Sequence, residues 1–226
     1  MKFVQGEAAI KSGNYIVISD VHIGFEEKLE EKGYTIPEQT QNVTDRLKEL
    51  RKIAENLIIL GDLKHSINIR KKNNLLLFLS EISELFKEII IIKGNHDGRI
   101  EDYTKNFRNI KVMTEFLKNK ILFIHGNKYA SNESIRKAET IMLGHFHSAH
   151  AIKDNIGIVR NWKSWAIYDF DNESYDKDKK VKTQIKKVLG FPCFNAFFDG
   201  AGEKNGPYAK YLDKKEVFTL DLIKLV

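Results

Sequence analysis

Five short groups of residues carry most of the chemistry this chain can offer. Asp20-Val21-His22 comes first, followed by Gly61-Asp62-Leu63-Lys64-His65, Gly94-Asn95-His96-Asp97, His125-Gly126 and Gly144-His145-Phe146-His147. All seven histidines lie in these groups or within three residues of one. Any one of them alone reads as a satisfied surface or core residue. Together they read as a metal site, because imidazole and carboxylate are the donors that borderline divalent cations take. Glycines stand beside the donors, Gly61 and Gly94 among them, where the backbone must pass close to a charged centre.

The residues before each group show what positions it. Tyr15-Ile16-Val17-Ile18, Leu57-Ile58-Ile59-Leu60, Ile89-Ile90-Ile91-Ile92, Ile121-Leu122-Phe123-Ile124 and Thr140-Ile141-Met142-Leu143 are apolar, mostly β-branched and too short for helices. Such runs fit strands buried on both faces. Pro37 to Glu55 reads as a helix with Val43, Leu47, Leu50 and Ile53 on one face. Asn73 to Lys87 reads as another, through Leu75, Leu76, Leu79, Ile82 and Phe86. Strand alternating with helix predicts an α/β sandwich. Ligands of such sheets bind outside the carboxyl ends of the strands, so the five groups should converge on one site.

The region from Ala151 onward differs. Ile156 to Val159 and Trp165 to Tyr168 suggest strands, and Val217 to Leu222 a closing one. Asp171 to Lys187 holds six lysines against four acidic residues and reads as an exposed hairpin tip. Residues 161–187 are therefore expected to be a hairpin or arm inserted in a single domain spanning 1–226, and such an arm could pair two copies into a homodimer.

Composition bounds the rest. A chain of 226 residues that is 42% hydrophobic and 30% charged can bury a real core, which excludes a disordered or collagen-like protein. No run approaches the ~18 uncharged apolar residues of a membrane span, and the first residues lack the pattern of a signal peptide. Cys193 is the only cysteine, which leaves no internal disulfide and no thiolate cluster. A cytoplasmic protein is expected. The formal charge of +6 suits a polyanionic substrate without demanding one.

The order D-x-H, G-D-x-x-H, G-N-H-D, H-G, G-H-x-H, over about residues 15–150, resembles the calcineurin-like metallophosphoesterases. Ser19 to Glu26 and Gly61 to His65 are similar to the archaeal SbcD-related and the DNA-ligase-associated phosphoesterases. Phe191-Pro192-Cys193-Phe194-Asn195-Ala196-Phe197 resembles their C-terminal region more loosely. The resemblance implies a four-layer α/β sandwich, two mixed β-sheets flanked by helices, around a two-metal centre. It implies Asp20, His22 and His147 at the first metal, Asn95, His125 and His145 at the second, and Asp62 bridging both. The mixed nitrogen and oxygen set suits Mn²⁺, Fe, Zn²⁺ or Ni²⁺ better than Ca²⁺ or Mg²⁺, with Mn²⁺ the first choice.

The resemblance also places His96 against the scissile phosphate, where it stabilises charge or protonates the leaving oxygen. Many relatives carry Asp three residues after the bridging Asp, and here that position is His65. An imidazole cannot raise the pKa of His96 as a carboxylate would, so charge stabilisation is the role expected of His96. His65 is expected to contact substrate phosphate or to orient a neighbour. Asp97 reads as a loop-holding residue and His150 as exposed. Arg99 and Lys64 are read either as surface cations or as grips on a phosphate oxygen, and Phe25 as a base-stacking ring or as packing.

The two-metal centre that the resemblance implies would activate a hydroxide for in-line attack on phosphorus, so the reaction class expected is phosphoester hydrolysis. The leading expectation is a phosphodiesterase on nucleic acid, DNA or RNA, or on a nucleotide-like diester, with Phe25, Trp162 and Trp165 as aromatic candidates. Trp162 and Trp165 read at least as well as packing. A small-molecule phosphomonoesterase or cyclic-nucleotide phosphodiesterase would use the same centre in a closed pocket instead of an open basic groove. A metal-binding scaffold would be marked by missing ligands, and none is missing here.

Overall fold

Apolar runs with no polar residue inside them are satisfied only between two layers, and the five runs lie there. The computed structural model describes residues 1–34, 39–66, 72–153, 155–198, 200 and 205–225, with residue 72 described by its backbone alone. The first sheet is ordered β1 (Lys2–Phe3), β2 (Ile10–Ser12), β3 (Tyr15–Ile18), β4 (Asn56–Ile59), β5 (Glu88–Ile92), β6 (Ile110–Met113). β3 to β6 are parallel, and β1 and β2 add an antiparallel edge. The second sheet contains β7 (Glu115–Lys118), β8 (Ile121–Ile124), β9 (Thr140–Leu143), β10 (Ala149–Lys153), β11 (Val159–Phe170), β12 (Lys187–Gly190) and β13 (Leu212–Thr219). Its order is β10-β11-β12-β9-β8-β7, with β13 also paired to β11.

Alternating residues of each strand face different layers. Val17, Ile58, Leu60, Ile90 and Ile92 of the first sheet meet Phe123, Met142, Trp165, Leu189 and Phe191 of the second. Ile16, Ile18, Leu57, Ile59, Ile89 and Ile91 point the other way, onto helices α2 (Thr40–Arg51) and α3 (Lys72–Leu85). α1 (Phe25–Glu30) and α4 (Ile100–Thr104) are short turns that follow β3 and β5. Leu122, Ile124, Ile141, Leu143, Ala166 and Tyr168 pack under α5 (Asn132–Lys137) and α6 (Asn172–Lys179). The result is the expected α/β sandwich of two mixed sheets flanked by helices.

Two helix faces differ in detail. Ile53 and Leu76 are both 41% exposed, whereas Phe78 is fully buried with Leu75, Leu79 and Ile82. That set keeps the three- and four-residue spacing of one helical stripe, and Leu76 falls outside it. Pro37 lies outside the described residues, and the helix is assigned from Thr40.

The segment 161–187 is not the exposed hairpin or arm that its composition suggests. It completes β11, forms α6 and enters β12, which lies inside the second sheet between β11 and β9. Asp171 caps α6 by accepting from Ser174 N at 3.0 Å, and Lys177 and Lys179 occupy its last turn, where cations oppose the helix dipole. Tyr175, Val181 and Ile185 are buried beneath the charged surface. The hairpin of this region is instead β10–β11, with residues 155–158 in its turn, so Ile156 to Ile158 precede the strand. The expected closing strand is β13, shifted toward the N-terminus, and Leu222 sits in a left-handed turn after it. No described helix is long and apolar enough to cross a membrane.

Candidate functional site

Each donor group follows the carboxyl end of its strand. β3 delivers Asp20 and His22, β4 Asp62 and His65, β5 Asn95 and His96, β8 His125, and β9 His145 and His147. Asp20 (φ 54°), His22 (50°), Asp62 (48°), His145 (65°) and His147 (44°) all have left-handed backbone. For residues with a Cβ this costs about 1–3 kcal/mol each and persists only where the surroundings impose it. The surroundings here are backbone ties between the loops. His22 N donates to Asp62 O at 2.9 Å, and His145 N to Asp20 Oδ2 at 3.2 Å. From the far end of the chain, Phe194 N donates to Ser19 O, Cys193 Sγ to Asp20 O at 2.8 Å, and Asn195 Nδ2 to Val21 O at 2.9 Å. Phe191–Asn195 thus props the first loop, a job no residue type there announces.

Among the described residues the donor side chains form overlapping clusters, and two of these share Asp62. Asp20, His22, Asp62 and His147 bring one donor atom each within 4.8 Å of one another, and Asp62, His125 and His145 do the same. Asp62 belongs to both. His147 Nε2 lies 3.2 Å from Asp20 Oδ1 and 3.3 Å from His22 Nε2. His125 Nε2 lies 3.3 Å from Asp62 Oδ2 and 3.1 Å from Asn95 Oδ1, so Asn95 stands beside the second cluster. The Asp20 Oδ1 atom is buried, with no aligned hydrogen-bond partner among the described residues.

Electrostatics follow from burial and from these contacts. Burial pushes the Asp20 carboxyl up, but His147, His125 and His22 outweigh it and hold it well below the usual carboxylate range. Asp62 is also lowered, because its hydrogen bond and charge pairing with His125 outweigh its burial. Burial drives His22 down to about 3. Burial also works against charge on His125, yet the bond to Asp62 and the charges of Asp20 and Asp62 lift it to about 9. His145 is lowered by burial, whereas Asp20 raises His147 despite it.

His65 and His96 sit together at one side. His65 is buried, its Nδ1 lies 3.4 Å from His22 Nδ1, and its Nε2 has no hydrogen-bond partner among the described residues. Burial, then the neighbouring His96, pushes it down to about 4. The two rings stack at 5.5 Å and 23°. His96 Nδ1 donates to the His65 carbonyl oxygen at 2.5 Å, which leaves Nε2 facing the site 4.0 Å from Asp62 Oδ2. The His96 side chain is 36% exposed, so a substrate can reach it.

Residues whose sequence reading was open find definite places. Lys64 is fully buried and donates to Ser66 O at 2.9 Å and His96 O at 2.8 Å, so it holds the loop under His96 and is neither a surface cation nor a phosphate grip. Asp97 is buried, accepts from Gly94 N at 2.9 Å and Lys64 N at 3.2 Å, and burial raises its pKa. Arg99 is an exposed partner of Asp102. His150 is partly exposed on β10. Phe25 is half-buried against His65 at 5.1 Å and Phe198 at 4.5 Å. Phe198, unnoticed in the sequence, stacks on His22 at 4.7 Å. Its only sequence signal is membership of an apolar pair with Phe197. Beside Asn95 and His125 a cavity of about 570 Å³ is lined by Lys93, Asn127 and Lys128.

Residues 14–166 match the family model described as the calcineurin-like phosphoesterase superfamily domain. No curated protein sequence matches the chain. Among solved structures the Pseudomonas putida nuclease MPE is similar, with a TM-score of 0.59 and 18% identity over 94% of this chain and 88% of that one. A protein of unknown function from Aquifex aeolicus matches at 0.40 and 16% identity, over 77% of this chain and 94% of that one. A predicted phosphoesterase from Streptococcus pneumoniae matches at 0.38 and 14% identity, over 93% and 91%.

Proposed function

Because the chain belongs to the calcineurin-like phosphoesterase superfamily, we propose that its site is a dinuclear metal centre hydrolysing phosphodiester bonds of nucleic acid or of a nucleotide-like substrate. The observation that carries this reading is the sharing of Asp62 by two donor clusters. The residues fit divalent transition cations. A buried carboxylate oxygen of Asp20 has no aligned hydrogen-bond partner among the described residues, and the Nε2 atoms of His22 and His147 turn toward the same point. Asp20, His22 and His147 would hold one cation, Asn95, His125 and His145 the other, and Asp62 both. Mn²⁺ is the cation we favour within the set Mn²⁺, Fe, Zn²⁺ and Ni²⁺. When bound, such a pair supplies Lewis-acid charge to phosphoryl oxygens and lowers the pKa of water.

The chain's own residues do the rest. His96 presents Nε2 to the substrate phosphate; with Nδ1–H given to the His65 carbonyl, it stabilises the developing charge in its imidazolium form, whose second proton sits on Nε2. The carbonyl of His65 accepts from Nδ1 and orients the His96 ring, and the ammonium of Lys64 holds the same loop from below. His65, driven neutral by burial, adds no competing charge. A polymeric or nucleotide-like diester is favoured by the lysine-bearing cavity beside Asn95 and His125 and by the +6 charge. The likeness of residues 19–26 and 61–65 to the SbcD-related and ligase-associated branch and the nuclease of like fold point the same way.

A metal-by-substrate matrix tests it. Protein stripped and reloaded with each cation is offered an aryl phosphodiester, an aryl phosphomonoester, cyclic nucleotides and single-stranded DNA. Diesters and DNA are expected to turn over faster than the monoester. A monoester preference of about tenfold, ~1.4 kcal/mol in transition-state binding, hands the site to the small-molecule phosphatase reading.

A further inference from the structure

β11 outruns its neighbour. Its Ala166 pairs with Gly190, the last residue of β12, so Val159 to Lys163 project past the carboxyl end of that strand. β12 runs parallel to β9, whose carboxyl end carries His145 and His147. The overhang therefore stands at the end of the sandwich where the candidate site lies. Its partner β10 begins two residues after His147.

Cross-strand register sorts the side chains of this hairpin. Trp162 lies opposite His150 and Arg160 opposite Ile152, so these four share one face. On the opposite face, Asn161 Nδ2 donates to Gly200 O at 3.2 Å and Lys163 Nζ to Asn195 O, tying the hairpin to the loop that carries Phe198. Trp162 is 57% exposed while Trp165 is fully buried. An indole left in water is surface available to a partner, because burying an aromatic ring is strongly favourable. Arg160 is exposed beside it. Arg160 is the cation that this face offers a polyanion, since Lys153 and Lys163 lie on the other face by register. A groove of about 1010 Å³ follows the strand past Arg160 and Trp162.

We propose that this face of the β10–β11 hairpin is a platform for single-stranded nucleic acid, with Trp162 stacking on a base and Arg160 holding a backbone phosphate. Stacking on an indole is tolerant of sequence, since every base offers a π face, and cationic flanks follow the backbone. The platform rests on the reading of the site as a nucleic-acid phosphodiesterase and would hold the strand that leads from it.

The test is a fluorescence titration of the metal-loaded full chain with hydrolysis-resistant phosphorothioate oligothymidylate, binding being followed independently by anisotropy of a labelled strand. Quenching is expected to saturate together with anisotropy. Trp162→Phe should remove most of the quenching, because Trp165 is sealed in the core and also reports that the fold is intact. Trp162→Ala should weaken binding on the order of 5- to 100-fold, and Arg160→Ala should lower the salt slope by about 0.7. Absence of binding, or binding without quenching of Trp162, overturns the platform. Emission that shifts with protein concentration, with a dimer in sedimentation and no response to the strand, overturns it in favour of a second copy. Quenching without cleavage of unmodified diesters refutes the phosphodiesterase reading and leaves the platform; cleavage without quenching does the reverse.

Discussion

Gly94→Ala is a single methyl that reaches the centre of the site. A Cβ at Gly94 would lie 2.2 Å from Asp62 Oδ1 and 2.4 Å from Asp62 N. Ordinary contact needs roughly 3.5 Å, so the two loops must separate by more than about 1 Å. Neither loop can move alone. His96 N donates to Asp62 Oδ1 at 2.8 Å, His22 N donates to Asp62 O at 2.9 Å, and Asp97 ties Gly94 N to Lys64 N. Overpacking of this kind costs about 1–3 kcal/mol in stability. A displacement of ~1 Å in a catalytic constellation costs on the order of 10²-fold in rate. Urea unfolding and hydrolysis of an aryl phosphodiester with Mn²⁺ measure the two effects separately. A large loss of activity with only modest destabilisation is expected. Wild-type kcat in a folded Gly94→Ala protein would refute the claim that the approach of Gly94 to Asp62 sets the site.

His96→Ala should lower kcat on the order of 10²-fold or more with bound metal unchanged by elemental analysis; loss of metal would instead move His96 into the coordinating set. Alkali should unfold the protein partly through Tyr15, whose phenol is raised to about 12 by burial and by Glu88, its hydrogen-bond acceptor at 2.5 Å. The folded value lies above the unfolded one of about 10, so this contribution is complete below pH ~10 and is lost as pH rises through about 12. A thermal-melting series should therefore fall over that window, and less so in Tyr15→Phe; identical curves for the two proteins would dismiss the phenol.

The five buried strands were legible because a run such as Ile89 to Ile92 has one stable environment, between two apolar layers. The site was legible as an inventory, since imidazoles and carboxylates after such strands must gather at one end of the sheets. Asp171 to Lys187 misled because lysines dominate its composition, while its order is set by a few buried residues, Tyr175, Val181 and Ile185, under the charged surface. The capping Asp171 and the lysines of the last turn of α6 were the local signal that composition hid.

Local residue patterns dictate which stretches are extended, which groups hold lone pairs, and in what order they arrive. Those are properties of side-chain shape, hydrophobicity and donor chemistry, fixed within a few residues. What each group touches depends on how remote segments pack. Trp162 and Trp165 are three residues apart on one strand and so face opposite ways, yet only the neighbouring elements determine that one is sealed between the sheets and the other left in water. Lys64 became a buried strut because the loop after β5 closes over it. Cys193 and Phe198 reached the first loop from the far end of the chain. Burial and juxtaposition arise from contacts between segments remote in sequence, and no local pattern of residues encodes them.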